Sequence, residues 1–193
     1  MYTRYHFPNQ KPNEQILLFY RRHWLILLKT AFLGVVMAVI PVFFYVYFSA
    51  RPELFSGETF YALYVLLNSI FALFIIVFMF SNFIDYYLDV WLVTNMRVVA
   101  IEQEGLFGRQ MAEKDLGRMQ DIKAEVKGFI PTIFGYGNVK IQTAGEEEHF
   151  IFRQIPHAEE ATRQIANLVS EYRRSNPELV SHHIERQDSE EME

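Results

Sequence analysis

The sequence predicts an α+β membrane protein, with two transmembrane helices in a hairpin followed by an antiparallel sheet that a C-terminal helix caps. Two long apolar stretches carry the first half of that reading. Leu25 to Phe48 holds a single charge, Lys29 near its start, and Phe60 to Ile84 holds none. The second half rests on strict alternation in IKAEVKG and on a change to helical period after Pro156.

Residues 1–24 form a lead-in. Pro8, Asn9, Pro12 and Asn13 read as turns, and EQILLFYRRHW, from Glu14 to Trp24, reads as a short interfacial or helical run. Ile16, Leu17, Phe19 and Tyr20 would lie against lipid, with Arg21 and Arg22 at the headgroups and Trp24 at the boundary.

The hairpin covers 25–84, with spans at 25–48 and 60–84, each as long as the roughly 20 apolar residues that cross a bilayer. Two such stretches in 193 residues argue against the core of a soluble protein. The first is too long and too far along the chain for a typical signal peptide, and neither precedes the usual small-residue cleavage site. Arg4, Lys11, Arg21, Arg22 and Lys29 stand before or at the start of the first span, against Arg51 alone in the connector. That asymmetry puts both termini in the cytoplasm, in a multi-pass protein of the inner or cell membrane. Pro41 would kink the first span, and Asn68 and Ser69 would bond the two helices together or bond a second copy. Neither span carries an ionisable residue near its middle, which argues against transport.

A sheet domain follows at 85–175. YYLDVWLVT, RVVAIEQ and Arg109 to Leu116 read as strands, with Gly105 and Gly108 bracketing a tight connection. Ile122, Ala124 and Val126 then alternate with Lys123, Glu125 and Lys127, and Val139, Ile141 and Thr143 with Lys140 and Gln142. HFIFRQI supplies another strand after a turn at Gly145. Ala161, Ile165, Leu168, Val169 and Tyr172 form a helical stripe, with Glu159 and Glu160 at its start and Arg173 and Arg174 at its end. Residues 176–193 are a solvated acidic tail, six acids against Arg186, which accounts for much of the net charge of −5.

Enzyme chemistry finds no support. The chain has no cysteine and no GxSxG run, so thiolate nucleophiles, cysteine zinc sites and serine elbows are excluded. His182 and His183 stand in the tail, and His149 beside Glu146 to Glu148 reads as a solvated turn. No catalytic, cofactor-binding or metal-ligating residues are assigned. No basic stripe interleaves with aromatics, so nucleic acid is not expected as a partner. The FGYGNVKIQTAG stretch does not precede a helix or a GK[ST], so it is no phosphate loop. Pro131 ends the segment before it, while Gly135 and Gly137 serve a sharp turn or a close approach to another strand.

DVWLVTNMR with Val98-Val99, Gly105-Leu106, Asp121-Ile122 and the Phe134 to Gly137 run resembles the bacterial pleckstrin-homology-like (PH-like) domain. Pro12-Asn13-Glu14 and His23-Trp24 resemble, more particularly, membrane proteins in which two N-terminal spans precede that domain. The resemblance implies a seven-stranded, strongly bent sheet closed by the helix from Pro156 to Arg174, and no shared catalytic residues. The function expected is a membrane-anchored, non-enzymatic module presenting a cytoplasmic PH-like domain for protein–protein interaction or self-assembly. Its partners would be membrane lipids and a protein partner or further copies of itself. A lipid-binding or envelope-sensing subunit is the alternative, and a membrane-bound enzyme with an unrecognised site a second one. Arg21, Arg22, Arg97 and Arg109 are the candidate headgroup contacts.

Overall fold

The computed structural model describes residues 7, 9–51, 53, 57–143 and 150–177. Most of the acidic tail, the Gly145 turn, His149 and Glu146 to Glu148 lie outside them. The chain forms two units. One takes the residues up to His23 together with those from Tyr87 onward, and the other is Trp24–Tyr86.

In the sheet unit a run read from the sequence as interfacial or helical is a strand. β1 (Ile16–Arg21) pairs antiparallel with β2 (Val90–Thr94), Arg21 opposite Val90 and Phe19 opposite Leu92. A register shift between Ile16 and Leu18 explains its irregular pattern. Leu18 and Tyr20 pack on the main core, whereas Ile16 and Phe19 pack on a second cluster. Both faces of β1 are thus apolar, and no clean alternation appears in the sequence. The lead-in is therefore part of the sheet domain.

β2 continues into β3 (Arg97–Glu104) and β4 (Gly108–Asp115), giving a four-stranded sheet in the order β1-β2-β3-β4. A second, three-stranded sheet follows, of β5 (Met119–Glu125), β6 (Tyr136–Thr143) and β7 (Phe150–Pro156). All pairs are antiparallel. The seven strands make two hydrogen-bonded sheets and not the one bent sheet expected. The break falls at a 3₁₀ turn, Leu116–Arg118, where buried Leu116 turns the chain into the core between β4 and β5.

The main core lies between these sheets and the C-terminal helix. Trp91, Val93 and Val98 from one sheet meet Val139, Ile141 and Phe152 from the other, and all six are fully buried. The Trp91 and Phe152 rings stack at 5.9 Å. On the opposite face of the four-stranded sheet, Phe7 covers Leu92, Val99 and Ile101. A six-residue helix, Phe129–Phe134, joins β5 to β6, and the closing helix is Ala158–Ser175. The closing helix buries Ala158, Ala161, Ile165 and Val169, with Leu168 and Tyr172 packed beside them, so the expected stripe is its core face.

The helical unit is built from α1 (Trp24–Ser49) and α2 (Glu58–Leu88). With these named, the short helix is α3 and the closing helix α4. Both long helices are apolar all round and are long enough to cross a membrane. Gly34 is the buried residue of α1, and no described side chain of α2 is buried. A Cβ built on Gly34 would collide with Met79 Sδ, so the missing side chain is what lets the helices approach there. Tyr64 donates its hydroxyl proton to the carbonyl of Pro41 at 3.2 Å. Asn68 and Ser69 do not bridge the helices as expected. Their side chains donate back to the carbonyls of Tyr64 and Val65, at 2.9 and 2.8 Å, a local bond always within reach in a helix. α2 also runs on through Tyr86, Tyr87 and Leu88, so Asp89 alone separates it from β2.

Candidate interaction site

Because Arg21 and Val90 are direct strand partners, residues 22–89 form one long insertion between two neighbouring strands. Both ends of the insertion are fastened on the sheet unit. Arg22 forms an ion pair with the Oδ2 of Asp89, whose side chain is fully buried. The other oxygen, Oδ1, accepts the Gln103 backbone N–H at 2.7 Å. The N–H of His23 donates to the Gln154 carbonyl at 2.7 Å, and the His23 ring stacks on Tyr136 at 5.1 Å. Burial and the neighbouring charge of His157 lower the pKa of His23, which favours the neutral imidazole in this packed position.

Register places three of the four candidate arginines at this end of the four-stranded sheet. Arg21 closes β1 opposite Val90, Val90 faces Ile101, and Arg109 faces Gln103. The Arg21 guanidinium lies 5.2 Å from the ring centres of both Phe19 and Tyr87. Arg109 is exposed on β4.

Arg97 is at the other end and is not available to a headgroup. It is only 3% exposed. Its Nε and Nη2 donate to the two carboxylate oxygens of Glu14, each at 2.9 Å, and Nη1 pairs with Glu113. Nη2 also donates to the Asn9 carbonyl at 2.6 Å, and the Phe7 ring covers the guanidinium at 5.7 Å. A charge removed from water this fully is held by its partners, which take four of its five N–H donors. Burial alone would raise the Glu14 carboxyl. The Arg97 bond, the Lys11 N–H and the Thr94 hydroxyl outweigh it and hold the group below its ordinary value. The Glu14 bond, against the opposing effect of burial, raises Arg97 in return. This buried pair fastens the lead-in across the sheet. Nothing in the sequence marks Glu14 as a buried acid, since its partner is far along the chain.

The glycine-rich stretch also resolves. Gly135 takes a left-handed φ of 66° as the C-cap of α3. Gly137 lies within β6, where a Cβ would meet the Glu125 carbonyl oxygen and Val126 Cγ2 at 2.9 Å each. The close approach expected there is present. Pro131 does not end a segment. It is the third residue of α3, in the first turn, where its missing N–H costs no helical bond.

Compared with known families, residues 25–169 match the one described as the bacterial PH domain. That stretch begins after β1, whose pairing with β2 the structure adds. No curated protein matches the chain. Among solved structures, a protein with a pleckstrin-homology domain from Shewanella loihica is similar at 16% identity, over 42% of this chain and 70% of that one, with a TM-score of 0.35.

Proposed function

This chain belongs to the bacterial PH domain family, and from that premise we propose that it is a membrane-anchored module that presents its PH-like domain for protein interaction or self-assembly at the cytoplasmic surface. Family membership and the absence of catalytic motifs fit a non-enzymatic interaction module. The observation that carries the membrane part is the β1–β2 pairing around two exposed apolar helices. Residues before and after the hairpin share one sheet, which supports two crossings that return the chain to the side it left. Cleavage after α1 would strip β1 from that sheet, which argues against α1 as a signal sequence. A soluble core helix would have many buried residues, and α2 has none among those described. The basic residues before α1 favour the cytoplasm for the domain.

The interaction surface best suited to a partner is β4. It pairs with β3 on one side and with no other described strand, and Arg109, Gln110 and Ala112 along it are exposed. An open edge offers backbone donors and acceptors to an added strand. Affinity capture of the full-length protein from native membranes tests this, with Ala112→Lys as the comparison. Loss of the captured partner or second copy in that variant supports edge recognition, and unchanged capture refutes it. Headgroup contact by Arg21, Arg22 and Arg109 is a second reading, favoured by their common end of the sheet. It predicts salt-sensitive binding to anionic vesicles.

A further inference from the structure

Strand register also fixes which loops share an end of the domain. The turn between β3 and β4, residues Gly105 to Phe107, lies just beyond the Gln103–Arg109 pair, and Gln103 bonds to Asp89. This is the end at which the chain leaves for α1 and returns from α2. In the other sheet α3 runs into β6, where Tyr136 faces Pro156 and stacks on His23, the residue before Trp24. The Gly135 carbonyl accepts the His157 N–H at 2.7 Å and holds the C-terminus of α3 at the same place.

Both segments are apolar, and both are bare. Phe107 is 97% exposed and Phe129 81%, and Ile130, Ile133 and Phe134 are exposed as well. The four α3 residues fall on one face of the helix, with Pro131 and Thr132 on the other. A two-glycine hairpin turn ordinarily carries polar residues between its glycines, and here it carries Leu106 and Phe107. Scattered apolar side chains on a surface need no explanation. Five large ones gathered at a single end do.

We propose that this end of the domain is a lipid seat, in which Phe107 and the apolar face of α3 enter the interfacial layer of the bilayer that the hairpin crosses. The inference rests on the membrane reading above and adds to it a defined lipid-contacting face. Continuity of the chain identifies the occupant. The two residues Arg22 and His23 and the one residue Asp89 are all that separate this end of the sheets from α1 and α2. Exposed aromatic and aliphatic side chains so close in sequence to an apolar helix meet lipid at the headgroup–acyl boundary, where such residues are favoured. The contact is apolar, so salt does not release it, unlike one made by arginine headgroup contacts.

The natural lack of cysteine permits a clean test in the full-length protein. Single-cysteine variants F107C and I133C would be labelled with a polarity-sensitive fluorophore and reconstituted in phosphatidylethanolamine/phosphatidylglycerol vesicles. Q120C, exposed at the far end of β5, is the aqueous control, and L73C, within α2, reports the hairpin itself. Lipids carrying a shallow nitroxide should quench positions 107 and 133 several-fold more than position 120, at low and high salt alike, and lipids carrying a deep nitroxide on the acyl chain should quench position 73, which lies mid-span. Equal, weak quenching at 107, 133 and 120 with strong quenching at 73 overturns the seat and leaves the anchor standing. Shielding of 107 and 133 from both lipid and aqueous quenchers overturns it in favour of a protein cover. Absence of lipid quenching at 73 overturns the membrane reading beneath it.

Discussion

The guanidinium of Arg22 meets the buried carboxylate of Asp89 two residues before one apolar helix begins and one residue after the other ends. The pair closes the strand ends on either side of the insertion. Arg22→Gln leaves that carboxylate buried without its counter-charge and should cost about 1–3 kcal/mol. The double variant Arg22→Gln/Asp89→Asn should recover part of the loss, because the charge is gone as well. Thermal melts of the purified full-length protein in detergent, analysed as a double-mutant cycle, measure the coupling.

The sheet domain should fold without its helices provided that β1 is kept. Arg21 and Val90 already face each other, so replacing residues 23–88 with Asn-Gly gives a two-residue hairpin loop between Arg22 and Asp89. The resulting chain is expected to be soluble and to give a dispersed amide spectrum. A fragment that begins at Asp85 lacks the strand that pairs with β2, and it should aggregate or remain unfolded.

Acid should loosen the lead-in through Glu14. Its carboxyl is held below the ordinary 4.5 in the folded protein, since the Arg97, Lys11 and Thr94 contacts outweigh a burial effect that acts the other way. A depressed carboxylate contributes stability that is fully present above its unfolded value. That contribution is lost as pH falls through the lower folded value. Glu14→Gln should therefore flatten the stability profile below about pH 4.5 while lowering stability at neutral pH. Arg97→Met, which strands Glu14, should cost about 3–5 kcal/mol at pH 7. Denaturant melts across pH 3–7 separate the two effects.

Three glycines should respond differently to alanine. Gly137→Ala forces a methyl against the Glu125 carbonyl and Val126 and should destabilise by about 1–3 kcal/mol. Gly135→Ala places a side chain at φ 66° and should cost about 1–2 kcal/mol. Gly57, with nothing within 4 Å of a built Cβ, should tolerate the change within about 0.5 kcal/mol. Thermal melts of the three variants rank them.

What was legible in the sequence was what repeats locally. The helical stripe from Ala161 to Tyr172 and the alternation at Ile122, Ala124 and Val126 are periodic over a few residues, and both became core-facing surfaces. β1 escaped because the shift between Ile16 and Leu18 spreads its apolar residues over two faces, and because its partner strand lies beyond both helices. In the sequence Arg97 follows closely on the second span, which is what makes it a candidate headgroup contact, whereas Glu14 reaches it across the sheet. Apolar character at Leu106-Phe107 and in FIPTIF was visible in the sequence. Its exposure was not, since only the strand register shows that these segments share an end with the hairpin.

Inserting the hairpin between paired strands also sets an order of assembly. During synthesis β1 emerges first, but its partner is made about 70 residues later, a delay of roughly 4–14 s at ordinary elongation rates. Until then the edge of β2 does not exist, and Phe152 and Gln164, which Tyr20 meets in the folded domain, are made later still. The first sheet is therefore completed only after both helices have been made, which on the membrane-anchored reading proposed above means after the chain's two crossings.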